Sequence, residues 1–332
     1  MRNYDILKES ETSPPPKWRI FWDKKINPRK KTKWRRCCVP VGIKMREIQG
    51  VLKNRIQGLN VNMPSATGFR KGVSIVDSVL RHQSRFGKKK VFNRFVVILD
   101  IKNAYRSVRA PELASVLAKI NPKQFSGYKR TIAFIENFCF DPEFGGVAMG
   151  ACASNDLFNV YCEYYIDQPL REICKEFGLT YTRYVDDLMF SSQKMITASI
   201  RNKLRQVLID AGFQINDKKA RVYDLRKGPV NVNGIGITFE GKTFMPREVL
   251  CSLRGMIYCS LRGMIYCSHK DGEIKKELIH YIDGWMGLFK QMTDLSKMNS
   301  TERKLFQSYQ KLRGIAEMKK PGDEFDDDEF DF

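Results

Sequence analysis

Two acidic segments, one ending at residue 100 and one at residues 186–187, constrain this chain more than anything else in it. The first, Phe95-Val-Val-Ile-Leu-Asp100, runs five apolar residues straight into a carboxylate, the pattern of a buried strand that ends in a functional group. The second, Tyr184-Val185-Asp186-Asp187, lies inside Tyr181-Thr-Arg-Tyr-Val-Asp-Asp-Leu-Met-Phe-Ser-Ser192 and predicts a tight hairpin turn between apolar strands. Neighbouring acids repel, so a fold gains little by placing them at such a turn. A divalent cation reverses that logic, because hard ions take oxygen ligands and usually one or two carboxylates plus substrate phosphates. Either segment alone reads as an ordinary strand end or a solvated turn. Together, on neighbouring strands of one sheet, they can hold two ions roughly 3.5–4 Å apart for phosphoryl transfer.

The rest of the chain narrows the setting. It has 332 residues and a net charge of +21, which suits a polyanionic partner through phosphate neutralisation. No apolar run approaches about 18 residues and no signal-type segment opens the chain, so a soluble cytoplasmic protein without a membrane partner is expected. Nine cysteines in unpaired spacing argue against a disulfide framework, and Cys267 with His269 lacks a second ligand pair for zinc. Residues 17–36 hold ten basic residues interleaved with Trp18, Trp22 and Trp34; Asn27-Pro28 predicts a turn, hence a basic hairpin suited to phosphates and stacked bases. Helices are expected at 42–57, 74–86, 110–119, 126–138, 153–176 and 194–212. Cys251-Ser-Leu-Arg-Gly-Met-Ile-Tyr258 repeats unchanged as residues 259–266, which as a helix aligns Leu253, Met256, Ile257, Leu261, Met264 and Ile265 and sets Arg254 and Arg262 two turns apart. Residues 323–332 carry seven acids, the composition of a disordered tail.

Further segments fall in register with the two acidic ones. Ser65-Ala-Thr-Gly-Phe-Arg-Lys-Gly-Val-Ser-Ile75 resembles the fingers segment of bacterial retron and group II intron reverse transcriptases. Lys33-Trp-Arg-Arg-Cys-Cys-Val-Pro40 and Ile43-Lys-Met-Arg-Glu-Ile-Gln49 resemble the segments that precede it. The Asp100 strand and the Tyr-Val-Asp-Asp turn resemble motifs A and C, Gly146 to Ser154 resembles motif B, and Ala211 to Lys219 resembles motif D. Val232-Asn-Gly234 stands where retron enzymes carry Val-Thr-Gly. The chain thus resembles reverse transcriptases over residues from about 17 to about 290.

The resemblance implies an α+β right-hand polymerase: leader 1–16, fingers 17–94, palm with an antiparallel sheet and interleaved fingers helices 95–245, helical thumb 246–320, and acidic tail 321–332. It implies RNA-directed DNA synthesis on a dedicated non-coding RNA, with anti-phage defence as the purpose. Two Mg²⁺ ions, or Mn²⁺ in their place, would be held by Asp100, Ile101, Asp186 and Asp187. Lys219, with Lys218 as its alternative, would protonate the leaving pyrophosphate. Arg70 and Lys71 would hold the triphosphate, Tyr105 would exclude a ribose 2′-OH, and Gly150 and Ser154 would let motif B approach the templating pair. His82 is expected to be structural. Partners implied are the RNA template, deoxynucleotides, a DNA or RNA–DNA product, and a protein effector or second copy. Met149-Gly150 with Ser154-Asn155, and Val185 in the turn, depart from ordinary retron forms toward defence-associated enzymes. The first departure also resembles diversity-generating reverse transcriptases, a competing expectation. An RNA-binding scaffold with an unused polymerase fold is the third, against which the intact acids speak.

Overall fold

The computed structural model describes residues 5–25, 33–266 and 276–318. The Asn27-Pro28 turn, Cys267 with His269, and the acidic tail lie outside them. In chain order the first elements are α1 (Ile6–Thr12), the hairpin β1 (Lys17–Lys25) and β2 (Lys33–Val41), α2 (Ile43–Gly58) and α3 (Ile75–Leu80). α1 corrects the expected flexible leader. Asp5 caps it by accepting from the Leu7 and Lys8 amides, and Ile6 and Leu7 are buried against α2 and α5 (Tyr128–Phe138). Two apolar residues anchor it, too few to register as a helical pattern.

The helix expected over 74–86 stops at Leu80. A capping box between Ser74 and Asp77 starts it, but Gln83–Phe86 is β3, paired with β4 (Lys89–Phe92) across a two-residue loop with Gly87 at φ +61°. Next come β5 (Phe95–Lys102), α4 (Ala110–Ile120), α5, α6 (Ser154–Cys162) and α7 (Gln168–Phe177). A π-helical turn, Glu163–Asp167, joins α6 to α7, with the Gln168 amide reaching back to the Glu163 carbonyl. Pro169 follows directly, and the widened turn makes room for a ring that clashes with the carbonyl four residues back.

The chain continues through β6 (Thr180–Tyr184), β7 (Asp187–Ser192), α8 (Ala198–Asp210), β8 (Gln214–Ile215) and β9 (Arg221–Asp224). It ends with β10 (Val230–Val232), β11 (Ile235–Ile237), β12 (Thr243–Phe244), α9 (Arg247–Tyr266), α10 (Lys276–Met292) and α11 (Ser300–Met318). These elements form two compact units.

The first unit, residues up to His82 and Asn93–Asp224, is built on an antiparallel sheet in the order β6-β7-β5-β8, with β9 also paired to β5. β5 is central and buries Val96, Val97, Leu99, Asp100 and Ile101, as its apolar run requires. α4, α5, α6 and α7 contribute Leu113, Leu117, Phe134, Leu157, Phe158 and Leu170 to the same core. A ladder of buried hydroxyls and amides runs beside the sheet. Thr67 bonds Ser78, Ser78 bonds Thr182, and His82 bridges Thr182 on β6 to Ser191 on β7 at 2.8 and 2.7 Å. The expected structural role of His82 is thereby given partners.

The second unit comprises Gln83–Phe92 and the residues from Leu225 onward. Gln83 Nε2 donates to the Gly241 carbonyl and the Phe92 amide to the Phe239 carbonyl, which is why this hairpin groups with the later segment and not with the expected fingers. The division between units falls at Asp224/Leu225, ahead of the expected palm–thumb boundary at 245/246. Asn233 (φ +53°) and Gly234 (φ +83°) make the β10–β11 turn, the Asn-Gly pair such a turn favours. The duplicated octapeptide is absorbed into one continuous α9, which buries Leu253, Ile257 and Leu261 and exposes Arg254 and Arg262.

Candidate active site

β5 and β7 run antiparallel with Leu99 opposite Leu188 and Asp100 opposite Asp187. Tyr184 pairs with Asp187, so Val185 and Asp186 alone form the turn between β6 and β7. The Asp186 carbonyl accepts the Ile101 amide at 2.9 Å. All four expected metal-holding residues, Asp100, Ile101, Asp186 and Asp187, therefore gather at one end of two neighbouring strands. Val185 sits at φ +59°, a left-handed geometry that costs a β-branched residue about 1–3 kcal/mol and persists only where its surroundings enforce it.

The electrostatics are those of crowded acids. Burial, then the charges of Asp186 and Asp100, push the Asp187 carboxyl up to about 7. Burial and Asp100 likewise raise Asp186. The ammonium of Lys219 hydrogen-bonds Asp100. Burial alone would lower the pKa of that ammonium, but Asp100, with Asp187 and Asp186 behind it, raises it. Both motif D lysines are exposed, and it is Lys219 that reaches the site, through its bond to Asp100. With Lys219 the cation in direct contact with an acid, the three carboxylates keep a negative excess. Among the described residues no three acidic, His or Cys side chains close into a ready cage. Lys219 stands on the Asp100 oxygen as the local positive charge, and hard oxygen donors with excess negative charge fit Mg²⁺ or Mn²⁺.

Tyr105 follows Asp100 on a 3₁₀ turn, Ala104–Ser107. Its ring stacks on Phe158 at 4.7 Å, and its hydroxyl donates to Asn155. Burial, then the charge of Asp186, raise the phenol well above its ordinary value, so the ring adjoins the carboxylates as a neutral group. Gly146 (φ +65°) is required here, because a Cβ would stand 2.4 Å from the Arg106 Cα. Gly150 lies at φ +114° with space for a Cβ only 3.1 Å from the Cys38 carbonyl, and the Cys38 amide donates to Met149 at 2.7 Å. Motif B is thus laid against β2. Ser154 is buried with its hydroxyl on the Ala148 carbonyl, which leaves it shaping this loop from inside.

Arg70, half-buried, and Lys71, exposed, ride on the loop between Gly68 and α3, and the Arg70 charge reaches Asp156 on α6. Sequence reasoning missed three residues. The Arg35 charge on β2 acts on both Asp186 and Tyr105. Asn155 holds the Tyr105 hydroxyl. Arg183, fully buried in β6, is paired with Asp167. Arg35 had a visible signal as a basic residue beside Trp34 in the charged hairpin, and Asn155 as a departure from the motif B form, whereas Arg183 had none.

This geometry has relatives. Residues 24–239 match the family model for reverse transcriptase (RNA-dependent DNA polymerase). The chain belongs to the reverse transcriptase family. Curated proteins similar to this reverse transcriptase include retron enzymes. The retron Mx162 reverse transcriptase of Myxococcus xanthus is 27% identical over 74% of this chain and 52% of its own length. The retron Ec86 reverse transcriptase of Escherichia coli is 26% identical over 89% of this chain and 81% of its own. The chain thus spans about half the length of the Mx162 relative. Among solved structures, telomerase from Candida albicans in complex with a telomeric RNA fragment superposes with a TM-score of 0.51 at 12% identity, covering 92% of this chain and 60% of that one. That likeness shows the right-hand polymerase fold. Among the described residues no helix is long and apolar enough to cross a membrane.

Proposed function

We propose that this reverse transcriptase copies a dedicated non-coding RNA into DNA. The observation that carries the reading is the Asp100–Asp187 cross-strand pair with Asp186 in the adjoining turn and Tyr105 within reach of the Asp186 charge. Bound by Asp100, Asp186, Asp187 and the Ile101 carbonyl, divalent ions supply Lewis-acid neutralisation of phosphoryl oxygens. The protein's own groups do the rest. Lys219 keeps its proton through its bond to Asp100 and can yield it to a departing pyrophosphate. Arg70 offers a fork and Lys71 a point charge to a triphosphate. Tyr105, wedged between Phe158 and Asn155, presents bulk where a ribose 2′-OH would lie. β1 and β2 expose Trp22 and Trp34, 58% each, beside their basic residues, while Trp18 packs inward; the exposed rings suit stacking on RNA bases.

Defence against phage, in the cytoplasm and with an effector partner, is the finer reading. It rests on the retron likeness and on the departures at Met149-Gly150, Asn155 and Val185. The test is to purify the full chain, sequence the nucleic acid that co-purifies, and assay deoxynucleotide incorporation with Mg²⁺ on an RNA template. Asp100→Asn and Asp186→Asn should each cut synthesis by about 10²–10³-fold, the scale for losing charge stabilisation of a transition state, with RNA binding kept. Synthesis near the wild-type rate in both variants would sink the assignment.

A further inference from the structure

A buried polar chain, used by none of the roles above, ties the catalytic turn to the fingers loop. The Arg183 guanidinium forks onto Asp167, with Nε 2.9 Å from Oδ1 and Nη2 2.8 Å from Oδ2. Asp167, the last residue of the π-turn, also accepts the Tyr181 hydroxyl at 2.7 Å. The third arm of Arg183, Nη1, donates to the Val185 carbonyl and to Asn159 Oδ1, each at 3.1 Å. Asn159 passes the chain on, its Nδ2 donating to the Gly68 carbonyl at 3.0 Å. Alongside, Thr67 donates to the Arg183 carbonyl and Arg183 to the Ser65 carbonyl, both at 2.8 Å, a parallel bridge between loop and strand. Gly68 closes the contact. A Cβ there would stand 2.8 Å from Val185 Cγ2 and 2.9 Å from its amide nitrogen.

Such a pair is a poor choice for stability alone. Desolvating two charges costs several kcal/mol each, and apolar groups of similar volume often replace a buried ion pair at no loss. What the pair does specify is geometry. It grips the carbonyl of the strained residue in the turn and, through Asn159, the residue that precedes Phe69, Arg70 and Lys71. We infer that Arg183, Asp167 and Asn159 are positioning residues that fix the Val185-Asp186 turn against the Gly68 loop, so that the metal-holding carboxylates and the triphosphate-holding cations keep one register. The inference rests on the polymerase reading for the ligands it names. All three residues are buried, so they act through Val185 and Gly68.

Two variants of the full chain test it. Asp167→Leu/Tyr181→Phe/Arg183→Met replaces the cluster by apolar groups and preserves packing. It should melt near the wild-type temperature and bind RNA normally. Turnover and nucleotide-free Mn²⁺ affinity, the latter read by electron paramagnetic resonance, should each fall about 10–100-fold, the scale for groups that orient metal ligands. Amide exchange at Ile101 and across 184–188 should quicken. Asn159→Asp keeps an acceptor for Arg183 but strips the donor to Gly68. Its KM for deoxynucleotide should rise about tenfold, the 1.4 kcal/mol of a lost hydrogen bond, with kcat and Mn²⁺ affinity kept. Wild-type Mn²⁺ affinity and turnover in the folded triple variant, or an unchanged KM in Asn159→Asp, would overturn the inference; if the triple variant does not fold, Asn159→Asp decides. A wild-type chain that makes no DNA would defeat the polymerase reading instead, while the Mn²⁺ and exchange readouts still judge the positioning role.

Discussion

Tyr105 is held on two sides, by the Phe158 ring at 4.7 Å and by Asn155 at its hydroxyl, so its position is fixed before any nucleotide arrives. Tyr105→Val opens that volume without touching a carboxylate. The ratio of ribonucleotide to deoxynucleotide incorporation on one template should then rise about 10–200-fold, the range that a difference in pocket size commands; an unchanged ratio would leave the ring as packing. Asp187 offers a prediction in pH. Its carboxyl is pushed up to about 7 in the fold against 3.8 ordinarily, so between those values the folded state holds a proton that the unfolded chain has lost. The metal-free protein therefore loses stability as pH rises from about 4 to 7. At about 1.4 kcal/mol per unit the ceiling is about 4 kcal/mol, shared among the coupled acids. Asp187→Asn should raise the melting temperature in EDTA at pH 8 and give no gain near pH 4. Equal shifts at both pH values would contradict the crowding. Both residues could be picked out in the sequence because they stand next to a strand end or in a turn. Arg183 could not, since its partners Asp167, Asn159 and Ser65 are set by packing across three separate segments.

At the scale of elements, His82 links the end of α3 to β6 and β7. Burial first, then the neighbouring charge of Arg81, drive its pKa down to about 3, so both hydroxyl partners meet a neutral ring. The unfolded chain takes up a proton below about 6.5 and the fold does not. Stability should thus fall as pH drops from 6.5 toward 3, by up to ~1.4 kcal/mol per unit from this residue. Denaturant midpoints of wild type and His82→Gln between pH 7 and 4 check it: the variant, less stable at pH 7, should show a slope shallower by about one proton. Parallel slopes would mean that His82 titrates in the fold. β5 and the β6–β7 hairpin could be read from sequence because an apolar run or a two-residue turn is a local signal. The β3–β4 hairpin was hidden because the apolar spacing after Ile75 continues to suit a helix, and only the turn at Gly87 marks the change. α1 was hidden for a different reason: what makes it a helix is the surface that receives Ile6 and Leu7.

For the molecule as a whole, a net charge of +21 makes RNA affinity an ionic-strength measurement. If six or more phosphates of single-stranded RNA are neutralised, log K against log salt should slope at about −4 or steeper. Truncation after Gly322, removing seven acids, should tighten binding at low salt, with the gain shrinking as screening grows. A shallow slope would move the affinity away from charge. The division into units carries a further consequence for how the protein is made. The β3–β4 hairpin leaves the ribosome early, yet the strands and helices it belongs with begin at Leu225, roughly 130 residues later. At about 5–20 residues per second that is a delay of about 7–26 s, during which the hairpin must persist alone, and two isolated strands are marginal in water. The first unit, by contrast, has all of its chain once Asp224 emerges. A nascent chain stalled there should resist protease except near Gly87-Lys88, and resistance at that loop should appear only when synthesis runs past α11. Synthesis order thus completes the three-carboxylate cluster before the unit that includes Gln83–Phe92, so a prematurely ended product would carry those acids in place and a hairpin without the later segments it hydrogen-bonds.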